Sequence, residues 1–222
     1  MRFDKKNSLQ TLRGADREKS LPRSAYFNSN YFSLTQLFSL AQQIHEIHAM
    51  KPESILEIGI GNGFVSTFLN RAGYAVTTAD INPTLNPDIC APLNEVHKFV
   101  DSPIFDVVVC CEVLEHMPLE ELETNIKYLK SLGHRLFLTL PNYKRTFGVF
   151  GFLRVPKIHP LKFKMAIDVN LYQKLTPEHF WEVGYCNVTT KKEIINILRK
   201  YYNHVESGHM LMNPYHIYFK AS

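Results

Sequence analysis

Apolar residues recur along the chain with two periods, and the switches between them mark out a series of elements. Over 33–50, Leu34, Leu37, Phe38, Leu40, Ala41, Ile44 and Ile47 follow helical spacing and predict a helix with one buried stripe. A short apolar run at 54–58 reads as a buried strand. After it come a helix over 63–72, a strand over 74–79, a weakly marked element around 95–100, a strand over 105–111, a helix over 119–131 and a strand over 135–140. Strands alternating with helices predict an α/β fold, a mostly parallel sheet with helices on both faces. Residues 143–174 show no clear period and read as a cap inserted after the fifth strand. Thr176-Pro177-Glu178 predicts a helix start, with Thr as N-cap and Pro in the first turn. A further helix is expected over 190–201. The stretches 204–210 and 215–220 predict a closing strand pair around the turn Asn213-Pro214, which suits an antiparallel C-terminal strand. The first 25 residues are polar and aperiodic, and are expected to form a flexible arm or a lid.

The first strand ends in Glu57-Ile58-Gly59-Ile60-Gly61-Asn62-Gly63. Glycine tolerates positive φ and lets a ligand approach the backbone. The helix that follows offers unpaired N–H groups at its start. A nucleotide-like cofactor across this first βα turn is the expectation. The dinucleotide pattern G-x-G-x-x-G is not met, because the glycines alternate and position 64 is Phe. The second strand ends in Asp80, whose carboxylate can accept hydrogen bonds from two vicinal ribose hydroxyls. Tyr26 and Tyr31, just ahead of the first long helix, are expected at the mouth of this site.

The glycine turn resembles the E-x-G-x-G-x-G motif of class I S-adenosylmethionine-dependent methyltransferases. The stretch from Phe105 to Pro118, FDVVVCCEVLEHMP, is similar to the region after the fourth strand in the small-molecule members of that group. The resemblance covers roughly residues 53–142. It implies a Rossmann-like fold and S-adenosylmethionine as methyl donor, bound by Glu57, Gly59, Gly61, Gly63, Asp80 and Ile81. Asp88 and Ile89 would lie beside the adenine, and Cys111 and Glu112 would border the donor. It also implies an enzyme, a methyltransferase working by in-line displacement, with oxygen of a small polar or sugar-type acceptor as the preferred target.

Glu112, Glu115 and His116 stand at i, i+3 and i+4, so on a helix they share a face. The E-x-x-E-H pattern is similar to the metal site of ubiquinone-pathway O-methyltransferases and of small-RNA 2′-O-methyltransferases. The later histidine of the RNA enzymes has no counterpart in Asp168-Val169-Asn170-Leu171-Tyr172, and His159 and His179 do not match it in position. Acid–base use is therefore preferred, with His116 as base and Glu115 as its catalytic companion. No residue is assigned as a metal ligand, although a divalent metal stays open as an alternative. Metal-assisted methylation of a quinone precursor or an RNA 2′-hydroxyl is the second reading, and a non-catalytic cofactor-binding module the third. His179, beside Trp181 and Glu182, is a candidate for the border of the acceptor pocket.

Composition narrows the partners. At 222 residues the chain suits a single domain over 1–222, and no run of 18 apolar residues occurs. The N-terminus lacks the apolar block of a secretory signal. Cys90, Cys110, Cys111 and Cys186 have no metal-ligand spacing and read as small core residues in a reducing compartment, so a cytoplasmic location is expected. Residues 1–23 hold seven Lys/Arg against three Asp/Glu, and 144–164 hold six basic residues and no acidic one. Within the second stretch, Thr146-Phe147-Gly148-Val149-Phe150-Gly151-Phe152-Leu153 is apolar and aromatic. A lid over a small-molecule acceptor is the preferred reading, with peripheral membrane contact through 146–164 as an alternative. Nucleic acid is disfavoured, because no long basic face extends beyond this stretch.

Overall fold

The computed structural model describes residues 13–100, 105–157 and 161–222. In chain order its elements are α1 (Gly14–Ser20), α2 (Leu34–Ala49), β1 (Ser54–Ile58), α3 (Phe64–Arg71), β2 (Ala75–Asp80), β3 (Ile89–Cys90), β4 (Phe105–Cys111), α4 (Leu122–Leu132), β5 (Gly133–Pro141), β6 (Lys144–Leu153), β7 (Leu161–Tyr172), α5 (Lys191–Leu198), β8 (Val205–His209) and β9 (His216–Ala221). Seven strands form one sheet in the order β3-β2-β1-β4-β5-β9-β8. Strands β1 to β5 run parallel, and β9 is antiparallel to both β5 and β8.

The strand sequences dictate the layers. Val107, Val108, Val109 and Cys110 are all fully buried, as a central strand covered on both faces requires. Successive residues serve opposite layers: Ile55, Val107, Val109 and Phe137 pack beneath Leu40 and Ile47 of α2 and Val65 and Leu69 of α3. Leu56, Val108, Cys110 and Leu136 pack on the other side against α4 and α5, through Ile126, Leu129, Ile194 and Leu198. Each such side chain contributes roughly 1.5–3 kcal/mol by leaving water. Ser33 starts α2 by accepting a hydrogen bond from the Gln36 N–H. The Rossmann-like α/β reading, with its antiparallel C-terminal strand, is thus the observed architecture. Among the described residues, no helix is long and apolar enough to cross a membrane.

Several local expectations are corrected. The third strand is only Ile89–Cys90, and the element around 95–100 is a 3-10 turn over Leu93–Lys98. No helix starts at Thr176. Its N–H donates to the Glu182 carboxylate and its C=O accepts from His179 N, which closes a single turn. The cap is an antiparallel hairpin of β6 with β7, separate from the main sheet. Of the polar arm, residues 1–12 lie outside the described residues, as does His159; 14–20 form α1 and Arg23–Phe27 a 3-10 turn. Cys110 is a core residue, but Cys90 is exposed.

Candidate active site

The carboxyl ends of β1 and β4 lie side by side, with Ile58 opposite Cys110, and the chain leaves them in opposite directions across the sheet. Ligands of open α/β sheets bind at such a switch point. A cavity of about 700 Å³ opens there. The glycine turn forms its floor, pinned to β2 by the Gly59 N–H donating to Ala79 O at 2.8 Å. Gly59 has φ +79°, and a Cβ on it would fall 2.3 Å from Cγ2 of Val113, so the position excludes a side chain twice over. Gly61 lines the cavity. Gly63 does not; at φ +72° it sets the first turn of α3.

Asp80 sits at the cavity wall with both carboxylate oxygens already engaged. Oδ2 accepts the Ile60 N–H at 2.9 Å and Oδ1 the Asn82 N–H at 2.8 Å, so the carboxylate ties the glycine turn to the loop after β2. Burial raises its pKa, and these two backbone donors offset part of the rise. Ile81 lines the cavity beside it. Asp88 and Ile89, expected beside the adenine, are corrected. Asp88 turns away to accept hydrogen bonds from the Thr78 N–H (2.8 Å) and hydroxyl (2.7 Å), and Ile89 is buried within β3, paired with Ala79. The segment just after β3, through Pro92 and Leu93, lines the cavity. Glu57 lies at the inner end, and burial pushes its carboxyl up to about 7, with Ser66 acting against the rise.

The polar arm closes the cavity from the N-terminal side. Asn82 is fully buried, and its amide donates to Glu18 O (3.0 Å) and Leu21 O (2.8 Å), holding the end of α1 over the loop. Glu18 thereby reaches the site: its Oε2 accepts from Tyr26 at 3.2 Å, and its Oε1 lies 3.5 Å from His116 Nδ1. Tyr26 and Tyr31 both line the cavity, as expected.

Beyond the end of β4 the chain turns sharply. Glu112 adopts φ +55°, a backbone region in which few non-glycine residues sit, while its N–H continues the ladder by donating to Thr139 O at 3.1 Å. The next turn, Leu114–His116, is a 3-10 helix. Cys111, Glu112 and His116 line the cavity, and Glu115 lies fully buried behind them. Neither oxygen of Glu115 meets a hydrogen-bond donor, and one oxygen of Glu112 lacks one too. Burial pushes the Glu112 carboxyl up to about 8, with the charge of Glu182 acting in the same direction. Burial, and then the Glu112 charge, push Glu115 well above the usual carboxylate range.

Two imidazoles stand against this pair. Burial lowers the pKa of His116, and its Nδ1 makes no hydrogen bond. The His179 ring meets it edge to face at 4.9 Å. His179 Nδ1 lies 2.9 Å from Glu182 Oε1. Glu182 in turn accepts from Thr176 N–H (3.2 Å) and Tyr215 Oη (3.1 Å). Burial raises the Glu182 carboxyl, but the hydrogen bonds from His179 and Thr176 outweigh it and hold the carboxyl below its ordinary range. A carboxylate only accepts, so His179 Nδ1 carries the proton in this contact and Nε2 is the ring nitrogen turned from Glu182. One ligand atom each of Glu115, His116 and His179 lie within 4.8 Å of one another. Where the sequence assigned no metal ligand, these residues bring together a donor set of a kind that fits a divalent cation: partnerless buried oxygen beside two imidazoles, one held by a carboxylate. Behind Glu112, His216 places Nε2 3.5 Å from Oε2 and Nδ1 2.9 Å from Ser39 Oγ. Burial lowers its pKa to about 4, so it is neutral there.

The sequence reasoning missed Glu18 and underrated His179. Glu18 carried no local signal. His179 stands at the wrong chain position for a continuous motif, and only the turn at 176–179 brings it round. Trp181, expected at the acceptor pocket, is a core residue donating to Met117 O.

Residues 29–201 match the family model described as a methyltransferase domain. The mitochondrial ubiquinone biosynthesis O-methyltransferase of Schizosaccharomyces pombe is 30% identical over 122 residues, covering 48% of this chain and 44% of that protein. The chain thus spans about half the length of the curated relatives it matches. Magnesium protoporphyrin IX methyltransferase from Synechocystis PCC 6803, solved with bound SAM, superposes with a TM-score of 0.55 at 18% identity, over 99% of this chain and 98% of that one. The methyltransferase domain of bacterial CtHen1 superposes with a TM-score of 0.55 at 15% identity, over 85% and 99%. These two likenesses are likenesses of fold. The family match covers well over half of the chain and includes both the glycine turn and the carboxylate–histidine cluster, so the chain belongs to the methyltransferase-domain family.

Proposed function

We propose that the protein transfers the methyl group of S-adenosylmethionine to a hydroxyl of a small molecule bearing adjacent oxygens, with a divalent cation held by Glu115, His116 and His179 and bordered by Glu112. The observation that carries this reading is the Glu115 carboxylate, fully buried with both oxygens lacking a donor beside two imidazoles. Methyl transfer needs the acceptor oxygen in line with the S–CH3 bond: the C–O bond forms as the C–S bond breaks, the electron pair stays on sulfur as S-adenosylhomocysteine, and the hydroxyl proton passes to solvent water. Asp80 receives the ribose hydroxyls, Ile81 and Leu93 flank the base, and the turn through Gly59 and Gly61 runs beneath the donor. A bound cation would grip two neighbouring acceptor oxygens and lower the pKa of the reacting hydroxyl. Glu182 fixes the His179 ring, and His216 with Ser39 backs Glu112. The names of the curated relatives, O-methyltransferases, favour oxygen as the target.

The test is calorimetric: Mg²⁺ and Mn²⁺ titrated into metal-stripped protein saturated with S-adenosylhomocysteine, with Glu115→Ala as control. One cation per chain bound by the wild type and none by the variant is the expected result. A wild type that binds no cation overturns the cation site and leaves His116 as a simple general base.

A further inference from the structure

The β6–β7 hairpin has two faces, and its register decides which residues share each. Residues paired directly across an antiparallel ladder point to the same side. Phe147 faces Ile167, Val149 faces Met165, and Leu153 faces Leu161. Phe163, opposite Gly151, belongs to the same face; a Cβ on Gly151 would fall 2.6 Å from the Phe163 ring, so the glycine leaves that ring room to lie across the ladder. The result is a continuous apolar stripe whose side chains are 46–61% exposed. A folded chain leaves such a stripe uncovered only where something else covers it.

The other face is tethered to the body. Thr146 and Asp168 form its innermost pair. Asp168 Oδ1 accepts from the Asn142 amide (2.9 Å) and the Thr146 hydroxyl (2.8 Å), and it lies 3.3 Å from His209 Nε2. This anchoring turns the Thr146–Asp168 face, which also carries Phe150, toward the end of β5 and leaves the continuous stripe on the opposite side. Arg145, Arg154 and Lys157 are exposed along and beyond the stripe's strand, and no acidic residue occurs from 144 to 164.

We propose that this hairpin docks the protein on an anionic lipid surface, with the apolar stripe entering the interface and the basic residues meeting the headgroups. Charge chooses the occupant. A second copy would bring two basic hairpins together, whereas an anionic bilayer is complementary to them. A nucleic-acid strand would match the charge, but the stripe is mainly aliphatic, and Leu, Val, Met and Ile give bases no ring to stack on. The proposal stands apart from the cation site and does not depend on the acceptor.

The test is co-sedimentation of full-length protein with phosphatidylcholine vesicles, with and without phosphatidylglycerol. Wild type is expected to bind only the anionic vesicles, and less as salt rises. The double variant Phe163→Glu, Met165→Glu should bind at least about tenfold more weakly. Retention of its thermal shift with S-adenosylhomocysteine shows that the body is intact. If that variant fails to fold, Arg154→Glu with Lys157→Glu serves instead, with the same loss expected. Equal vesicle binding by wild type and variants overturns the proposal. So does a wild type that ignores vesicles yet forms a dimer, in analytical ultracentrifugation, which the stripe variant abolishes.

Discussion

Glu57 sits in a cavity wall where its carboxyl titrates near 7, against about 4.5 in an unfolded chain. Between those values the folded state holds a proton that the unfolded state has lost, so stability of the ligand-free protein falls as pH rises through that window. At 1.36 kcal/mol per pKa unit the loss is on the order of 3 kcal/mol, complete above about pH 7. Glu57→Gln should remove that decline and leave the ligand-free protein more stable than wild type at pH 8. It should also bind the cationic donor more weakly. Thermal unfolding of both proteins at pH 5 and pH 8 checks this, and a difference that does not change with pH contradicts it. The residue itself was legible because a strand-ending glutamate before alternating glycines is a local pattern. Asp88 misled for the same reason: an acid before a strand reads locally as a base contact, and only the fold shows the Thr78 donors that turn it aside. Glu18 and His179 come from segments far along the chain, and local spacing holds no record of them.

At the scale of elements, one buried amide anchors the C-terminal end of α1. Asn82 binds two carbonyls at the end of α1, and its Oδ1 accepts from Thr84 N at 3.0 Å. Asn82→Ala should release α1 from the cavity at a cost of about 1–2 kcal/mol. Affinity for S-adenosylhomocysteine should fall about tenfold, since 1.4 kcal/mol is one decade. Calorimetry measures the loss, and limited proteolysis should report new cleavage within 13–33. Unchanged affinity would mean that α1 contributes nothing to cofactor retention. Strands β1, β4 and β5 were readable because each carries a dense apolar run, and β2 because β-branched Val76, Thr77 and Thr78 lead into Asp80. The hairpin was not, although Leu161, Phe163, Met165, Ile167, Val169 and Leu171 alternate strictly in β7. Alternation usually signals a half-buried strand, and the partner β6 is broken up by glycines that blur its own period. The helix expected at Thr176 ends after the single turn in which His179 N–H donates to Thr176 O at 3.0 Å.

For the whole molecule, the sheet, its helices and the N-terminal arm line the cavity, while no described residue of the hairpin does. Replacing residues 147–167 with a short Gly-Ser turn across the Thr146–Asp168 pair should therefore leave ligand stabilisation intact. At a hundredfold excess over Kd that stabilisation is about 2.7 kcal/mol, or a Tm shift of about 5–10 °C for a chain of this size. Differential scanning fluorimetry with S-adenosylhomocysteine compares the two, and a smaller shift in the shortened protein would place the hairpin within the cofactor site. The sheet order has a further consequence during synthesis. β9 lies inside the sheet, between β5 and β8, yet it follows both in the chain. Until residue 221 emerges from the ribosome, β8 has no neighbour and the apolar flank of β5, from Leu136 to Leu140, stays an open edge. A translating chain that stalls ahead of His216 presents that edge to other nascent chains, so the native sheet closes only once β9 has left the ribosome.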